Sequence, residues 1–373
     1  MTFIIVAIAG VALVAVGYLF VRGRSGDVRR ENASEPGALP PMSAREIGRR
    51  HIDQALDRLY PTQREYRFGL SAKPGEDEAP LAEIVAYRAS TPVPHWHYIT
   101  YGLSELGEKT STDPSLSGFG VEYTLRLVDD AAEPPTWPMN LLRWLAKLVW
   151  QTREPLDPKH SMDVPDGLLD EVSPGVEGLA FLTDPDLATI QTPNGAVTFV
   201  SAIPLMAREH WLLGAWDFDK YVDVLRSQQS DLLWRVGRRS VLEGDGSSEI
   251  LAQVERDGSS QSLDFTTLSW RDGELLLDQG SRTVLGKFLR YRLAYGRDAS
   301  IVSGEQRTTV SPGEWAMQCS STGCSLSIPR EEARTLADDL DAMKDGATVL
   351  RPGGARFRFE VIGNSEPDQT GTP

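Results

Sequence analysis

From Phe3 to Val21 the chain reads FIIVAIAGVALVAVGYLFV, nineteen residues without a charge. As a helix rising 1.5 Å per residue, this run extends about 28 Å, close to the roughly 30 Å hydrocarbon core of a bilayer. No Lys or Arg precedes it and no clean small-residue cleavage site follows. It therefore reads as a membrane-spanning helix within residues 1–22 rather than a cleaved leader. Arg22, Arg24, Arg29 and Arg30 come next, and a basic flank on that side leaves the rest of the chain in the cytoplasm. Residues 23–42, with Pro36, Pro40 and Pro41, read as a flexible tether. Cys319 and Cys324 flank Ser-Ser-Thr-Gly, a turn that would face them across a hairpin. In a reducing compartment they are expected as two structural thiols, in a secreted protein as a disulfide.

Beyond the tether the hydrophobic period changes repeatedly. Ser43 with Glu46 has the spacing of a capping box, Ile47, Ile52, Ala55, Leu56 and Leu59 form a helical stripe, and Pro61 stops it. Leu81–Arg88 is an apolar strand. His95–Tyr101 alternates, with His95, His97, Ile99 and Tyr101 on one face and Trp96, Tyr98 and Thr100 on the other. Val121, Tyr123, Leu125 and Leu127 alternate with Glu122, Thr124 and Arg126, as in a half-buried strand. Pro138 helps open a helix whose Leu141, Leu142, Leu145, Leu148 and Val149 recur at helical spacing, with Trp144 and Trp150 enlarging its buried side. From Gln151 to Leu187 regularity fails: nine acidic residues stand against Arg153 and Lys159, with five prolines. This predicts a long irregular surface loop. Ala196–Ile203 restores a strand, Asp217–Arg226 reads as a helix, and Arg235–Arg239 closes this part. Residues 242–262, rich in Gly, Ser and acids, read as a linker. Strands follow at Leu263–Trp270, Glu274–Leu277, Phe288–Ala294, Ser300–Val302, Ala316–Cys319 and Cys324–Ile328, then a helix over about Pro329–Lys344 and a strand over Arg356–Ile362. The reading is α+β: two mixed α/β lobes, 43–241 and 263–363, behind one transmembrane helix and ahead of a polar tail, 364–373.

The chemistry the sequence offers is thin. Of 373 residues, 53 are acidic and 38 basic, for a net charge of −15. That balance argues against nucleic acid, since phosphate neutralisation needs clustered Lys and Arg, and it suits a basic protein partner or simply keeps the protein in solution. There is no P-loop, no HExxH and no Gly-x-Ser-x-Gly elbow. Gly118-Phe119-Gly120 lacks the third glycine and the following helix of a dinucleotide fingerprint, and reads as a bulge or a close approach in a sheet. Asp184-Pro-Asp186 and Asp217-Phe-Asp219 read as turn and helix-cap residues. His95 and His97 are the best metal suspects, but a catalytic zinc needs about three protein ligands and no third has a recognisable spacing. A metal-dependent hydrolase on His95 and His97 is thus an alternative, and no catalytic, cofactor or metal residue is expected.

Five segments carry a more specific signal: HWHYITYGLSEL (His95–Leu106), SGFGVEYTLRL (Ser117–Leu127), PPTWPMNLLRWLAKLVW (Pro134–Trp150), DPDLATIQTP (Asp184–Pro193) and NGAVTFVSAIPL (Asn194–Leu205). In this order they resemble the Suppressor-of-fused family, densely from about Ala86 to Leu205. The stretch from Trp270 to Gly304 and the helix around Arg330–Met343 look like that family's second lobe. The resemblance implies a protein-binding module and no enzyme. In animal members two lobes close on an extended peptide that adds a strand between them. It implies a similar cleft here, with the acidic loop carrying Asp157, Asp163 and Asp166 in the partner-contacting region. The long disordered insert of animal second lobes is missing, which points to a bacterial member; the Phe3–Val21 run, absent from the animal proteins, would make it a membrane-anchored one. Such a member would be an immunity-type protein covering a basic toxin, or alternatively an envelope scaffold.

Overall fold

The computed structural model describes residues 4–6, 44–69, 81–104, 113–206, 208–271, 273–344, 346–351 and 356–359. A first strand β1 (Ile4–Val6) is followed by helix α1 (Ala44–Leu59) and strands β2 (Glu65–Gly69), β3 (Glu83–Ala89), β4 (His95–Tyr101) and β5 (Leu116–Leu127). Helix α2 (Trp137–Thr152), strands β6 (Ser161–Asp163), β7 (Val176–Thr183), β8 (Thr189–Thr192) and β9 (Gly195–Met206), and helices α3 (Glu209–Ala215) and α4 (Phe218–Gln228) come next. After helix α5 (Ser247–Asp257) the chain forms β10 (Leu263–Phe265), β11 (Leu268–Arg271), β12 (Glu274–Leu277) and helix α6 (Gln279–Tyr291). It ends with β13 (Ala299–Ser303), β14 (Gln306–Pro312), β15 (Ala316–Ser320), β16 (Gly323–Ile328), helix α7 (Ala333–Ala342), β17 (Thr348–Leu350) and β18 (Arg356–Phe359).

One long sheet runs through the molecule in the order β15-β16-β14-β13-β10-β1-β6-β7-β9-β5-β4-β3-β2, with β8 paired to β9. A smaller sheet, β11-β12-β18-β17, flanks its C-terminal end. In the N-terminal half of the long sheet, β3, β4 and most of β5 and β9 are buried on both faces. Leu141, Leu142, Leu145 and Val149 of α2 pack on Trp96, Tyr98, Tyr123 and Leu125. On the opposite face Ile52 and Leu56 of α1, with Tyr60 just beyond it, pack on Val85, Tyr87, Ile99, Tyr101 and Phe199. In the C-terminal half, Leu285, Phe288 and Leu289 of α6 and Leu336, Ala337 and Leu340 of α7 share a core with Ile301, Val310, Leu326 and Ile328. Each fully buried Leu or Phe contributes about 1.5–3 kcal/mol, so these stripes dominate the fold.

Several expectations are corrected. The stretch Gln151–Leu187 is no surface loop: it supplies β6 and β7, and Leu156, Met162, Leu169, Leu179 and Phe181 enter the core. Its apolar residues were masked by the acids and prolines that line the connections. Strand β5 is buried on both faces rather than half-buried, with Glu122, Thr124 and Arg126 all inside. Phe288–Ala294 is not a strand: residues through Tyr291 belong to α6, which starts at a capping box made by Asp278 and Ser281. KFLRYRLAY alternates locally, but Val284, Leu285, Phe288 and Leu289 keep the helical period and win. Residues 242–262 contain α5, whose Ile250 and Val254 are buried. Cys319 and Cys324 are joined as a disulfide instead of standing as thiols, because the antiparallel register of β15 and β16 sets them directly opposite. Of the uncharged run, Ile4–Val6 is a strand and not a helical turn; β-branched Ile-Ile-Val suits a sheet as well as it suits lipid. Among the described residues no helix is long and apolar enough to cross a membrane. The rest of that run, the tether, the Ser43 cap and the tail 364–373 lie outside the described residues.

The bulge expected at Gly118 and Gly120 is present. Both have positive φ, 58° and 72°, and the register of β5 against β9 shifts between Leu116 and Val121.

Candidate partner-binding groove

The long sheet is built from two sets of strands that meet at one place. β6 ends the N-terminal set through its antiparallel pairing with β7, and β10 begins the C-terminal set through its parallel pairing with β13. β6 and β10 do not pair with each other. Between them stands β1, parallel to both: Ile5 is in register with Ser161 and Asp264, and Val6 with Met162 and Phe265. The slot therefore offers main-chain donors and acceptors from two strand edges to one strand of fixed direction.

Charged side chains cluster on one side of this slot. Asp163, the last residue of β6, pairs with Nδ1 of His210 on α3. Burial opposes the charge of Asp163, but the His210 hydrogen bond and charge, and more distantly Lys287, hold its carboxyl below the usual range. Lys287 on α6 places Nζ 3.2 Å from Oδ2 of Asp264, the central residue of β10. Asp264 also accepts from Nε2 of Gln261 at 3.0 Å and from the Phe265 N–H at 2.8 Å. Its burial is complete enough to push the carboxyl up despite these partners. Glycine at 178 makes the close approach of α3 possible. A Cβ there would lie 2.8 Å from the Met162 carbonyl oxygen and 3.2 Å from the His210 ring. Among the described residues, Ser161 Oγ, His210 Nε2, Gln261 Oε1 and Thr266 Oγ1 are buried without a hydrogen-bond partner, an uncommon concentration around one short strand.

A polar hinge beside the slot ties the halves together. The Ser259 N–H donates to the Tyr291 carbonyl at 2.6 Å and its hydroxyl to Gly214 at 2.8 Å. Arg292 and Arg297 both donate to the Ser259 carbonyl, at 3.0 and 2.9 Å. Trp211 of α3 meets Tyr291 of α6 edge to face, ring centroids 5.9 Å apart.

Of the residues singled out from the sequence, Asp163 is at the slot. Asp157 lies ahead of β6, exposed, its N–H donating to Nδ1 of His160 at 3.0 Å. Asp166 is exposed in the turn after β6. His210, Asp264 and Lys287 escaped the sequence reading. Asp264 carried a signal, an acid inside the otherwise apolar start of Leu263–Trp270. His210 and Lys287 carried none, because only the crossing of α3 and α6 over the sheet brings them in.

His95 and His97 serve a different site. Nδ1 of His97 is 2.7 Å from the Tyr60 hydroxyl and Nε2 is 3.2 Å from Oδ2 of Asp184, all buried. Burial opposes the charge on Asp184, but His97 and the Thr124 hydroxyl, 2.6 Å away, hold the carboxyl well below the ordinary range. The same carboxylate accepts the Asp186 and Leu187 N–H groups, so it does serve as the turn residue expected. Asp217 likewise caps α4. His95 places Nδ1 2.8 Å from the Val93 carbonyl. Among the described residues no group of three or more His, Cys, Asp or Glu side chains is placed to hold a metal ion.

The domain that supplies β3 through β9 can be identified. Residues 77–239 match the family model of the Suppressor of fused protein (SUFU). The chain thus carries a SUFU-like domain. Over 163 residues it is 34% identical to the Suppressor of fused homolog of Homo sapiens, an alignment covering 40% of this chain and 33% of that protein. The Mus musculus homolog matches to the same extent. The chain is therefore aligned with about a third of the length of the curated relatives it matches. The crystal structure of Drosophila Suppressor of Fused has the same fold, with a TM-score of 0.66 at 19% identity over 87% of this chain and 99% of that one. A chain in the Sufu–Fu complex crystal structure matches with a TM-score of 0.52 at 25% identity, covering 57% of this chain and 98% of that one.

Proposed function

We propose that this chain is a protein-binding module that holds an extended segment of another polypeptide in the slot between β6 and β10, and that it carries out no reaction of its own. The slot itself carries the reading: two strand edges of equal direction face one another across the width of a single strand. Strand addition of this kind draws affinity from main-chain hydrogen bonds and selectivity from the flanking side chains. The SUFU-like domain supports it, as does the Sufu–Fu complex, a relative's assembly with a protein partner. The jaws are residues 43–241 and 263–363. The excess of acid, 53 against 38 basic residues, suits a basic partner, and an immunity role against a basic toxin is the specific form proposed. Complementary charge then speeds encounter and sets orientation. The hydrolase reading has less to stand on, since both ring nitrogens of His97 already face Tyr60 and Asp184.

Affinity capture of the native partner with wild-type and Asp163→Lys chains tests the proposal. Loss of a specific partner with the variant supports the groove. Equal recovery on both places the interface elsewhere. The membrane location read from Phe3–Val21 is a second proposal, which competes with the seated β1 strand for the same residues. A membrane-spanning state of that run excludes the β1 strand, so alkaline carbonate extraction of native membranes decides it: release of the chain to the supernatant refutes an anchor.

A further inference from the structure

Three remote stretches, residues 4–6, 161–163 and 263–265, make one parallel three-strand array. Its middle strand is the chain's own Ile4–Val6. That strand is only three residues long, so few main-chain bonds hold it, and an element with so few bonds opens at low cost. It is nevertheless well supplied, because residues 7–43 connect it covalently to α1. Such a linkage gives an effective concentration on the order of millimolar. Ile-Ile-Val is also the sequence type that pairs best in a buried strand.

We infer that β1 is an internal occupant of the partner groove, a strand that competes with an incoming segment and must leave before the partner pairs with β6 and β10. The inference rests on the groove reading above and adds its regulation. It also names the chemistry of the partner's segment: short, extended, uncharged and β-branched, like the strand it replaces. While β1 is seated it pairs with both edges, and the groove is closed to weak, non-specific strands. Once it leaves, the N–H and C=O groups facing the slot on β6 and β10 are unpaired and take up a strand from solution.

The test uses the full chain and a labelled peptide of residues 2–8 carrying two added C-terminal lysines for solubility. Ile5→Pro removes a main-chain N–H at the centre of β1 and fixes its φ. Ile5→Val preserves the strand. Binding is measured by fluorescence anisotropy on wild type and both variants. The expected result is at least tenfold tighter binding to Ile5→Pro than to wild type or Ile5→Val. Equal affinity for all three overturns the internal competitor while leaving the groove reading intact. No binding to any of them, with the variants folded, overturns both. Should Ile5→Pro fail to fold, Ile5→Gly retains the N–H while weakening the strand, and the same ordering is expected. Hydrogen exchange gives a second readout: the variant loses protection at 161–163 and 263–265, and added peptide restores it. A wild-type dimer that Ile5→Pro converts to monomer would assign the strand to a second copy and overturn the internal version.

Discussion

Two residues near β6 have consequences that can be measured singly. Nδ1 of His160 accepts the Asp157 N–H at 3.0 Å, so the imidazole is the neutral, acceptor form at that nitrogen. Burial lowers its pKa from 6.5 to about 4. The unfolded chain then binds more protons than the folded one between those values, and stability falls as pH drops from 6.5 towards 4. The contribution is at most about 3 kcal/mol. His160→Gln should flatten the denaturant midpoint across that window, and an unchanged slope would refute the assignment. Gly178 is the second case. Gly178→Ala drives a methyl into the Met162 carbonyl and the His210 ring. Overpacking of this kind costs about 1–3 kcal/mol, and partner affinity should fall with it, because α3 is pushed away from Asp163. Calorimetric melting and titration of the partner check the two effects separately.

Elements were legible where one hydrophobic period ran without competition. β4 and β12 match their expected spans, and α2 and α4 differ from theirs by a residue or two. The β5 face of Glu122, Thr124 and Arg126 was misjudged because its partners are remote in sequence. Glu122 accepts from the Ser104 hydroxyl, the Gly102 N–H at 2.8 Å and the Thr100 hydroxyl at 2.6 Å. Arg126 donates to Asp186 at 3.2 Å and to the Asp231 carbonyl at 2.9 Å. No local pattern announces such a network, so exposed polar alternation was the natural reading. The candidate site was legible to a similar degree: Asp163 came from its place in the resemblance, while His210, Lys287 and the strand role of Ile4–Val6 depend on how distant elements cross. At this scale α3 offers a sharp test. Glu209, fully buried, accepts from Arg238, the Tyr221 hydroxyl and the Val241 and Met206 N–H groups. Glu209→Ala leaves a buried guanidinium without its charge partner, which costs about 3–5 kcal/mol. Urea unfolding should show that loss, whereas a change below about 1 kcal/mol would mean that water reaches Arg238.

The molecule as a whole joins two cores through one sheet whose continuity depends on β1. The hinge at Ser259 and the α3–α6 contact remain when that strand is gone, so the halves should stay associated. Small-angle scattering of Ile5→Pro is expected to show an overall size close to wild type, and a large expansion would show that β1 is the main fastening. If a basic partner is captured, raising ionic strength should slow association far more than it speeds release, since the acidic surface acts at a distance of about a Debye length, 8–10 Å. Stopped-flow measurements at two salt concentrations would show it. The parallel alignment of β1 with both neighbours has one more effect. A ribbon entering that gap backwards would need the antiparallel hydrogen-bond spacing on each side, which neither wall is registered to give. The gap therefore sorts incoming chains by polarity as well as by composition, and a bound segment should run parallel to both walls, with its N-terminus at the end where Ile4 now lies.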